Sequence, residues 1–243
     1  MNIRSMKLAD KGVEPAFFSQ QIDEARRFFL RLRPPWNEGF NVVCGGNEHC
    51  ASDYHIRRDG FPYVTVEFVA QGEGTVVLKE RKYEVMTGAI FVYGPGVAHD
   101  IQCHRQKPMT KYFASFAGPE VLKKLVRPRA GEMVQSSAPE QIAEIFEQLI
   151  DAGKRDTRFQ EQVCRLIGEQ LLLRIAETAV PLGTMGTEAF GTYQLCRGWM
   201  DRNYRSVESL AQIASACGIG DTYLCRLFKR HAHRSPWQHI LRL

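Results

Sequence analysis

Between Phe40 and Phe116 the chain is a succession of short runs rich in β-branched and aromatic residues, each cut off by glycine or proline, and this texture ends at Pro119. The runs Phe40–Cys44, Tyr54–Arg57, Tyr63–Ala70, Gly74–Lys79, Ala89–Tyr93, Asp100–Cys103 and Lys111–Phe116 predict strands. Gly45-Gly46, Asp59-Gly60, Gly72-Glu73-Gly74, Thr87-Gly88 and Gly94-Pro95-Gly96 predict the breaks between them. Strands at this regular spacing predict an antiparallel sandwich or barrel. Along Tyr63–Ala70 the alternation sets Tyr63, Thr65, Glu67 and Val69 on one face and Val64, Val66 and Phe68 on the other. The polar set either lines a pocket or meets solvent.

After Pro119 the periodicity becomes helical. Glu120–Val126 is a short helix candidate, and Ala138–Ala152 repeats Ile142, Ile145, Phe146, Leu149 and Ile150 at the spacing of one buried face. Arg158–Ala179 continues with Val163, Leu166, Ile167, Leu171 and Ile175, read as a second such face. Pro181–Thr187 reads as a linker, and a third helical block runs from Phe190 to the end. Before the strands, Ile22–Leu32 predicts a short helix that Pro34-Pro35 would stop. The expected division is an arm over 1–39, a strand-rich domain over 40–118, a helical segment over 119–180 and a helical domain over 190–243.

Composition excludes some classes of protein. No apolar run approaches the roughly 18 residues of a membrane span, and Met1–Lys7 has no apolar stretch behind its charges, so no secretory signal is expected. Seven cysteines with no C-x-x-C pair suit free thiols in a reducing cytoplasm, not a disulfide framework or a zinc site. The net charge of +5 is unevenly spread: residues 190–243 hold eight Lys or Arg against three acids, and the rest of the chain is balanced. Such asymmetry points to a polyanion-binding segment on a neutral body.

That segment contains the sharpest motif. In Leu210–Lys229, Ala214 is small where two helices would cross, and Gly218 follows where a tight turn needs positive φ. Ile213, Ile219, Leu224 and Leu227 supply the locking apolar faces; Ser206 is placed to cap the first helix, and Gly220 or Asp221 to open the second. This is the pattern of a helix-turn-helix, with an ordinary helical hairpin as the plainer reading. Ser206-Val207-Glu208-Ser209-Leu210-Ala211, then Tyr223-Leu224-Cys225-Arg226-Leu227-Phe228-Lys229-Arg230, then Ser235-Pro236, resembles the first half of an AraC-family DNA-binding domain. The resemblance implies that the second helix enters the major groove of double-stranded DNA. Thr222, Cys225 and Arg226 would face the bases, Arg226 as a bidentate partner of guanine, while Lys229 and Arg230 would meet phosphates. Leu224 and Phe228 should be core. The chain stops at Leu243, where the family's long connecting helix would begin, so a second unit is missing and tight binding by this chain alone is not expected.

The strand-rich block resembles the same family's effector domain, a cupin-like antiparallel barrel, through Tyr54–Gly60, Val69–Gly74, Gly88–His99 and Lys111–Phe116. The implied fold class is α+β: an N-terminal barrel, a helical linker or dimerisation segment, and a C-terminal all-α helix-turn-helix unit. The implied partners are DNA, a small-molecule effector, a second copy of the chain and RNA polymerase, with no membrane and no cofactor. Arg57 falls where sugar-sensing relatives place an arginine, which favours a sugar, although an ion pair with Glu67 or Asp59 fits equally. Glu67, Tyr93, His99, Lys111 and Phe113 complete the expected effector site. The competing reading is a cupin-type metal enzyme with an appended helical domain, using His55, Glu67 and His99. The chain lacks the His-x-His of such enzymes, which counts against it. A third reading is a shortened regulator that pairs with intact partners and silences them.

Overall fold

The computed structural model describes residues 15, 17–32, 39–232 and 234–243, and the chain divides into two units at Ala179–Val180. Two-residue alternation builds the first unit. Strands β1 (Ile22–Phe29), β2 (Asn41–Cys50), β3 (His55–Arg58), β4 (Val64–Gln71), β5 (Glu73–Leu78), β6 (Arg81–Met86), β7 (Ala89–Tyr93), β8 (His99–Cys103), β9 (Thr110–Ala117) and β10 (Met133–Ser136) pair antiparallel. They form two sheets, not one closed ladder. The larger runs β1-β2-β9-β4-β7-β10, with the two-residue β11 (Ala179–Val180) at its end; the smaller runs β3-β8-β5-β6.

Each strand of the larger sheet gives one face to helices and the other to the interior of the double sheet. Val66 and Phe68 of β4, Ile90 and Val92 of β7, and Tyr112, Ala114 and Phe116 of β9 form one apolar cluster with the helices that follow. Those helices are α1 (Val121–Lys124), α2 (Pro139–Lys154) and α3 (Gln160–Thr178). From α2 come Ile142, Ile145, Phe146, Leu149 and Ile150, as the periodicity predicts. Phe146 is fully buried and lies parallel to Phe68 at 6.2 Å between ring centroids. Truncating such a ring to alanine costs about 3–5 kcal/mol. Gly168 brings α3 flush against the sheet, because a Cβ there would stand 3.0 Å from both Phe116 and Val42.

Three expectations are corrected. Ile22–Leu32 is not a helix, nor only an arm: Ile22–Phe29 is the edge strand of the larger sheet, paired with β2 from Ile22↔Cys50 to Phe29↔Cys44. Its Asp-Glu-Ala-Arg-Arg favours a helix locally, and pairing with a partner strand overrides that weak preference. The expected stop at Pro34-Pro35 lies outside the described residues. Gly45-Gly46 is not a break but the middle of β2. A Cβ at Gly45 would meet the Phe28 ring at 2.8 Å and one at Gly46 the Arg26 carbonyl at 2.6 Å, so glycine is needed for close strand approach. Finally, α3 carries two apolar faces instead of one. Leu171, Leu172 and Ile175 are buried, whereas Val163, Leu166 and Leu173 face outward, Leu166 at 63 % exposure.

The second unit contains α4 (Glu188–Asn203), α5 (Leu210–Ala216), α6 (Asp221–Ala232) and α7 (Pro236–Ile240). Thr187 caps α4 by accepting from the Phe190 N–H. Ser235 and Gln238 form a reciprocal capping box at α7, with Pro236 in the first turn. The core joins Phe190, Tyr193, Cys196 and Met200 of α4 to Ile213, Ala214, Leu224, Leu227 and Phe228. Among the described residues no helix is long and apolar enough to cross a membrane.

Candidate functional site

Inside the first unit the inward faces of β2, β4 and β9 bring charges together away from water. Glu48, Glu67 and Lys111 are each no more than 3 % exposed. The Lys111 ammonium lies 2.7 Å from Glu48 Oε2 and 3.0 Å from Glu67 Oε2. The Arg27 guanidinium reaches Glu48 Oε1 at 2.9 Å from the β1 side, and the Tyr93 hydroxyl donates to Glu67 Oε1 at 2.6 Å. Two cations and two carboxylates thus alternate along one chain of contacts, which neutralises charges that would otherwise be very costly to bury.

The cluster sets its own protonation. Burial opposes the charge on Lys111, but Glu48 and Glu67 hold its ammonium well above the ordinary lysine value. Burial likewise pushes the Glu48 carboxyl up, and Lys111 and Arg27 together outweigh it, leaving that carboxyl below its ordinary value. The Tyr93 phenol is raised well above its usual value, by burial first and then by Glu67. His99 stacks on Tyr93 with ring centroids 3.9 Å apart, and burial lowers its pKa. Its Nδ1 lies 3.1 Å from the Val97 carbonyl. With Nδ1–H donating there, Nε2 is a buried acceptor with no partner among the described residues.

A cavity of about 30 Å³, room for about one water, opens against these groups. Glu67, Tyr93, Lys111 and Phe113 line it, as does Thr65, whose hydroxyl shares a 2.8 Å hydrogen bond with Ser115. Phe17 and Phe18, ahead of β1, also line it, together with Glu48, Tyr54 and Arg58. Phe18 sits 5.5 Å from Phe113 and beneath the Arg27 guanidinium, while the Arg58 guanidinium donates to the Phe17 carbonyl.

Of the six expected effector residues, the structure gathers Glu67, Tyr93, Lys111 and Phe113 on the cavity and His99 behind Tyr93. Arg57 is corrected: it is exposed, and its neighbour Arg58 lines the cavity. A one-residue step along a strand reverses the face, and adjacent arginines give the sequence no signal for choosing between them. Arg27, Glu48 and Tyr54 were missed. Arg27 was hidden by the helix reading of its segment, and Glu48 followed glycines read as a break. The His55 ring is exposed and bonded to Asp100 and Gln102, away from this cluster. Among the described residues, no three His, Cys, Asp or Glu side chains are grouped to hold a metal.

In the second unit the turn between α5 and α6 is made by Gly218 at φ +68°. The Ile219 N–H closes it on the Ala214 carbonyl at 2.9 Å. Ser209, not Ser206, caps α5, accepting from the Gln212 N–H at 3.2 Å; Ser206 lies in the preceding short 3-10 turn. α6 begins at Asp221 and is strongly two-faced, with Leu224, Leu227 and Phe228 buried. Thr222, Arg226, Lys229 and Arg230 are exposed on it and Cys225 is half-buried. Arg226 leans over Tyr223, 5.6 Å from the ring centroid.

The chain is similar to several known proteins. The MmsAB operon regulatory protein of Pseudomonas aeruginosa is 22 % identical over 204 residues, 82 % of this chain; the chain spans 65 % of that relative's length. Among solved structures, the AraC-like transcriptional activator CuxR is similar over 90 % of this chain and 84 % of its own, at 13 % identity and a TM-score of 0.41. Salicylate 1,2-dioxygenase from Pseudaminobacter salicylatoxidans matches 31 % of this chain and 21 % of its own, at 17 % identity and a TM-score of 0.28. The family described as the AraC-like ligand binding domain matches residues 43–174, more than half of the sequence, and the chain belongs to that family.

Proposed function

We propose that this chain is a ligand-responsive, DNA-binding transcription regulator that works in the bacterial cytoplasm. The observation that carries the reading is α6, which holds Thr222, Arg226, Lys229 and Arg230 outward on a helix locked by Leu224, Leu227 and Phe228. In this reading α6 enters the major groove, Arg226 pairs with guanine, Thr222 and Cys225 lie against neighbouring bases, and Lys229 and Arg230 neutralise phosphates. A second copy docks on the outward row of α3, where Phe159, Val163, Leu166 and Leu173 recur at helical spacing, exposed among the described residues. RNA polymerase is the partner through which bound protein would act.

The effector is a small polar molecule held at the Glu48–Lys111–Glu67 cluster. Because the cavity has room for about one water, any larger effector must displace the Phe17 and Phe18 rings or open an ion pair. That requirement makes occupancy a change of state, and an effector shifts such an equilibrium only by preferring one arrangement. The expectation of a sugar rested on Arg57, which lies outside the cavity. The carboxylates, hydroxyls and Arg58 that line it suit a sugar and other hydroxylated or zwitterionic molecules equally.

The test is fluorescence anisotropy on duplexes enriched from a random pool, at about 50 and 200 mM salt. Binding should fall steeply with salt, and Arg226→Ala should lose about 1–3 kcal/mol. Salt-independent binding, or unchanged affinity for Arg226→Ala, would sink the reading.

A further inference from the structure

Two cysteines outside the charged cluster meet across the gap between the sheets. Cys50 ends β2 in the larger sheet, Cys103 ends β8 in the smaller, and the two thiols are near enough to shift each other's ionisation. The backbone of Met109 holds both in place: the Cys50 N–H donates to its carbonyl at 2.9 Å, and its own N–H donates to Cys103 Sγ at 3.4 Å. The two sulfurs are unequal in access. Cys50 is 2 % exposed, whereas Cys103 is half-buried and borders an open surface cleft. Two cysteines held to one Met109 backbone from strands of different sheets meet the basic demand of a disulfide, which tolerates little backbone movement.

We propose that Cys50 and Cys103 are a redox-modification site, a dithiol that hydrogen peroxide converts to a disulfide joining the two sheets. Cys103 is the attacking thiol and Cys50 the resolving one. The Cys103 thiolate attacks one peroxide oxygen, forming Cys103–SOH and, with a proton, one water. Cys50 sulfur then attacks the sulfenic sulfur; the S–S bond forms as hydroxide leaves with the Cys50 proton as a second water. The two thiols lose two electrons and the peroxide gains them.

The electrostatics fit that division of labour. The neighbouring Cys50 thiol holds the Cys103 thiol below its ordinary value against the opposing effect of burial, and the Met109 N–H and Lys111 cation act in the same direction. The Cys103 thiol, and then burial, push the Cys50 thiol up. Lower-pKa, accessible thiols beside a resolving partner are the ones that oxidise selectively. The remaining thiols offer contrasts. Cys44 is fully buried, its thiol pushed up to about 12 by burial. Cys196 and Cys217 adjoin each other in the second unit. The assignment stands on the first unit alone and does not depend on DNA binding.

The experiment treats the reduced full chain with an equivalent of hydrogen peroxide, alkylates the remaining thiols and maps the digest by mass spectrometry. A peptide joining Cys50 to Cys103 is expected, with five of the seven thiols still alkylated. The oxidised chain should also melt roughly 5 °C or more above the reduced one, because the bond closes a long loop. Cys50→Ser should leave Cys103 as a sulfenic acid that dimedone traps, and Cys103→Ser should abolish the linked peptide. If the folded wild type keeps both thiols free, or joins Cys196 to Cys217 alone, the assignment is overturned. Dimedone labelling of Cys50 instead of Cys103 in the single variants would overturn the order of attack.

Discussion

The two units of this chain use charge in opposite ways. In the first, Arg27, Glu48, Lys111 and Glu67 are buried and satisfy one another, and the residues around them are arranged to keep water out. In the second, the core is built from Leu224, Leu227, Phe228, Ile213 and Met200, and the cations of α6 stand in solvent with no acid paired to Lys229 or Arg230 among the contacts described. Buried charges fix a unique interior and make it sensitive to any intruding polar molecule. Exposed cations hardly affect folding, and they remain available to a polyanion. The same residue types therefore organise an interior in one place and form an exposed basic face in the other.

The largest test of this contrast is Lys111→Met. Removing the ammonium leaves Glu48 and Glu67 facing each other in the interior, and an uncompensated buried charge costs about 3–5 kcal/mol. Urea unfolding of the first unit should show that loss, and Glu67→Gln in the same chain, which neutralises the acid left without a cation, should restore part of it. A loss under 1 kcal/mol would mean that solvent already screens the cluster.

A smaller effect concerns pH. Burial lowers the His99 pKa in the folded chain, so between the ordinary value of 6.5 and that lowered value the unfolded chain binds more protons. Stability should therefore decline as pH falls below about 6.5, and His99→Gln should remove that part of the decline. Glu48 adds a separate acid limit. Its folded pKa lies below 4.5, so its contribution is complete above 4.5 and is lost as pH falls through the folded value. Lys111 acts at the opposite end: its contribution is complete below 10.5 and is lost only as pH rises through its raised folded value. A stability profile flat from pH 7 to 5 in wild type would contradict the assignment of His99 as a neutral buried ring.

The smallest expected change comes from Lys229→Ala. Stability should stay within about 0.5 kcal/mol, while the slope of log affinity against log salt should shrink by about 1. If melting moves and the salt slope does not, the division between an interior that uses charge for folding and a surface that uses it for binding fails at that residue.

Which features were legible in the sequence follows from how local their causes are. Alternation at Tyr63–Ala70 separated Thr65 and Glu67 from Val66 and Phe68 correctly, because a strand with one face on helices and one on a polar cavity writes its period into adjacent residues. Gly218 and Leu224 were legible for the same reason: turn and helix face are set within a few positions. The unread parts depend on distant partners. β1 carries helix-forming residues and becomes a strand only through β2, which also makes glycines of Gly45 and Gly46 necessary. Short, charged β6 has little apolar signal, as suits an edge strand. The outward face of α3 merged with its inward face because both are apolar. Lys111 and Glu67 were anticipated separately; that they share a proton-balancing cluster with Arg27 and Glu48 needed four strands in register.

The pairing of β2 with β9 has a further consequence, for the order in which the molecule acquires its structure. Asn41 and Ala117 face each other across a separation of 76 positions, and β4 lies between β9 and β7, both of which follow it in the chain. Closing such a long loop must precede the contacts that reward it, which slows folding, whereas in the second unit the bond of His239 to Asp201 spans 38 positions. The second unit should therefore form faster than the first. Until β9 arrives, Lys111 has no carboxylates and Glu67 lacks its cation, so the strand that closes the longest loop also completes the charged interior that Arg27 and Glu48 begin.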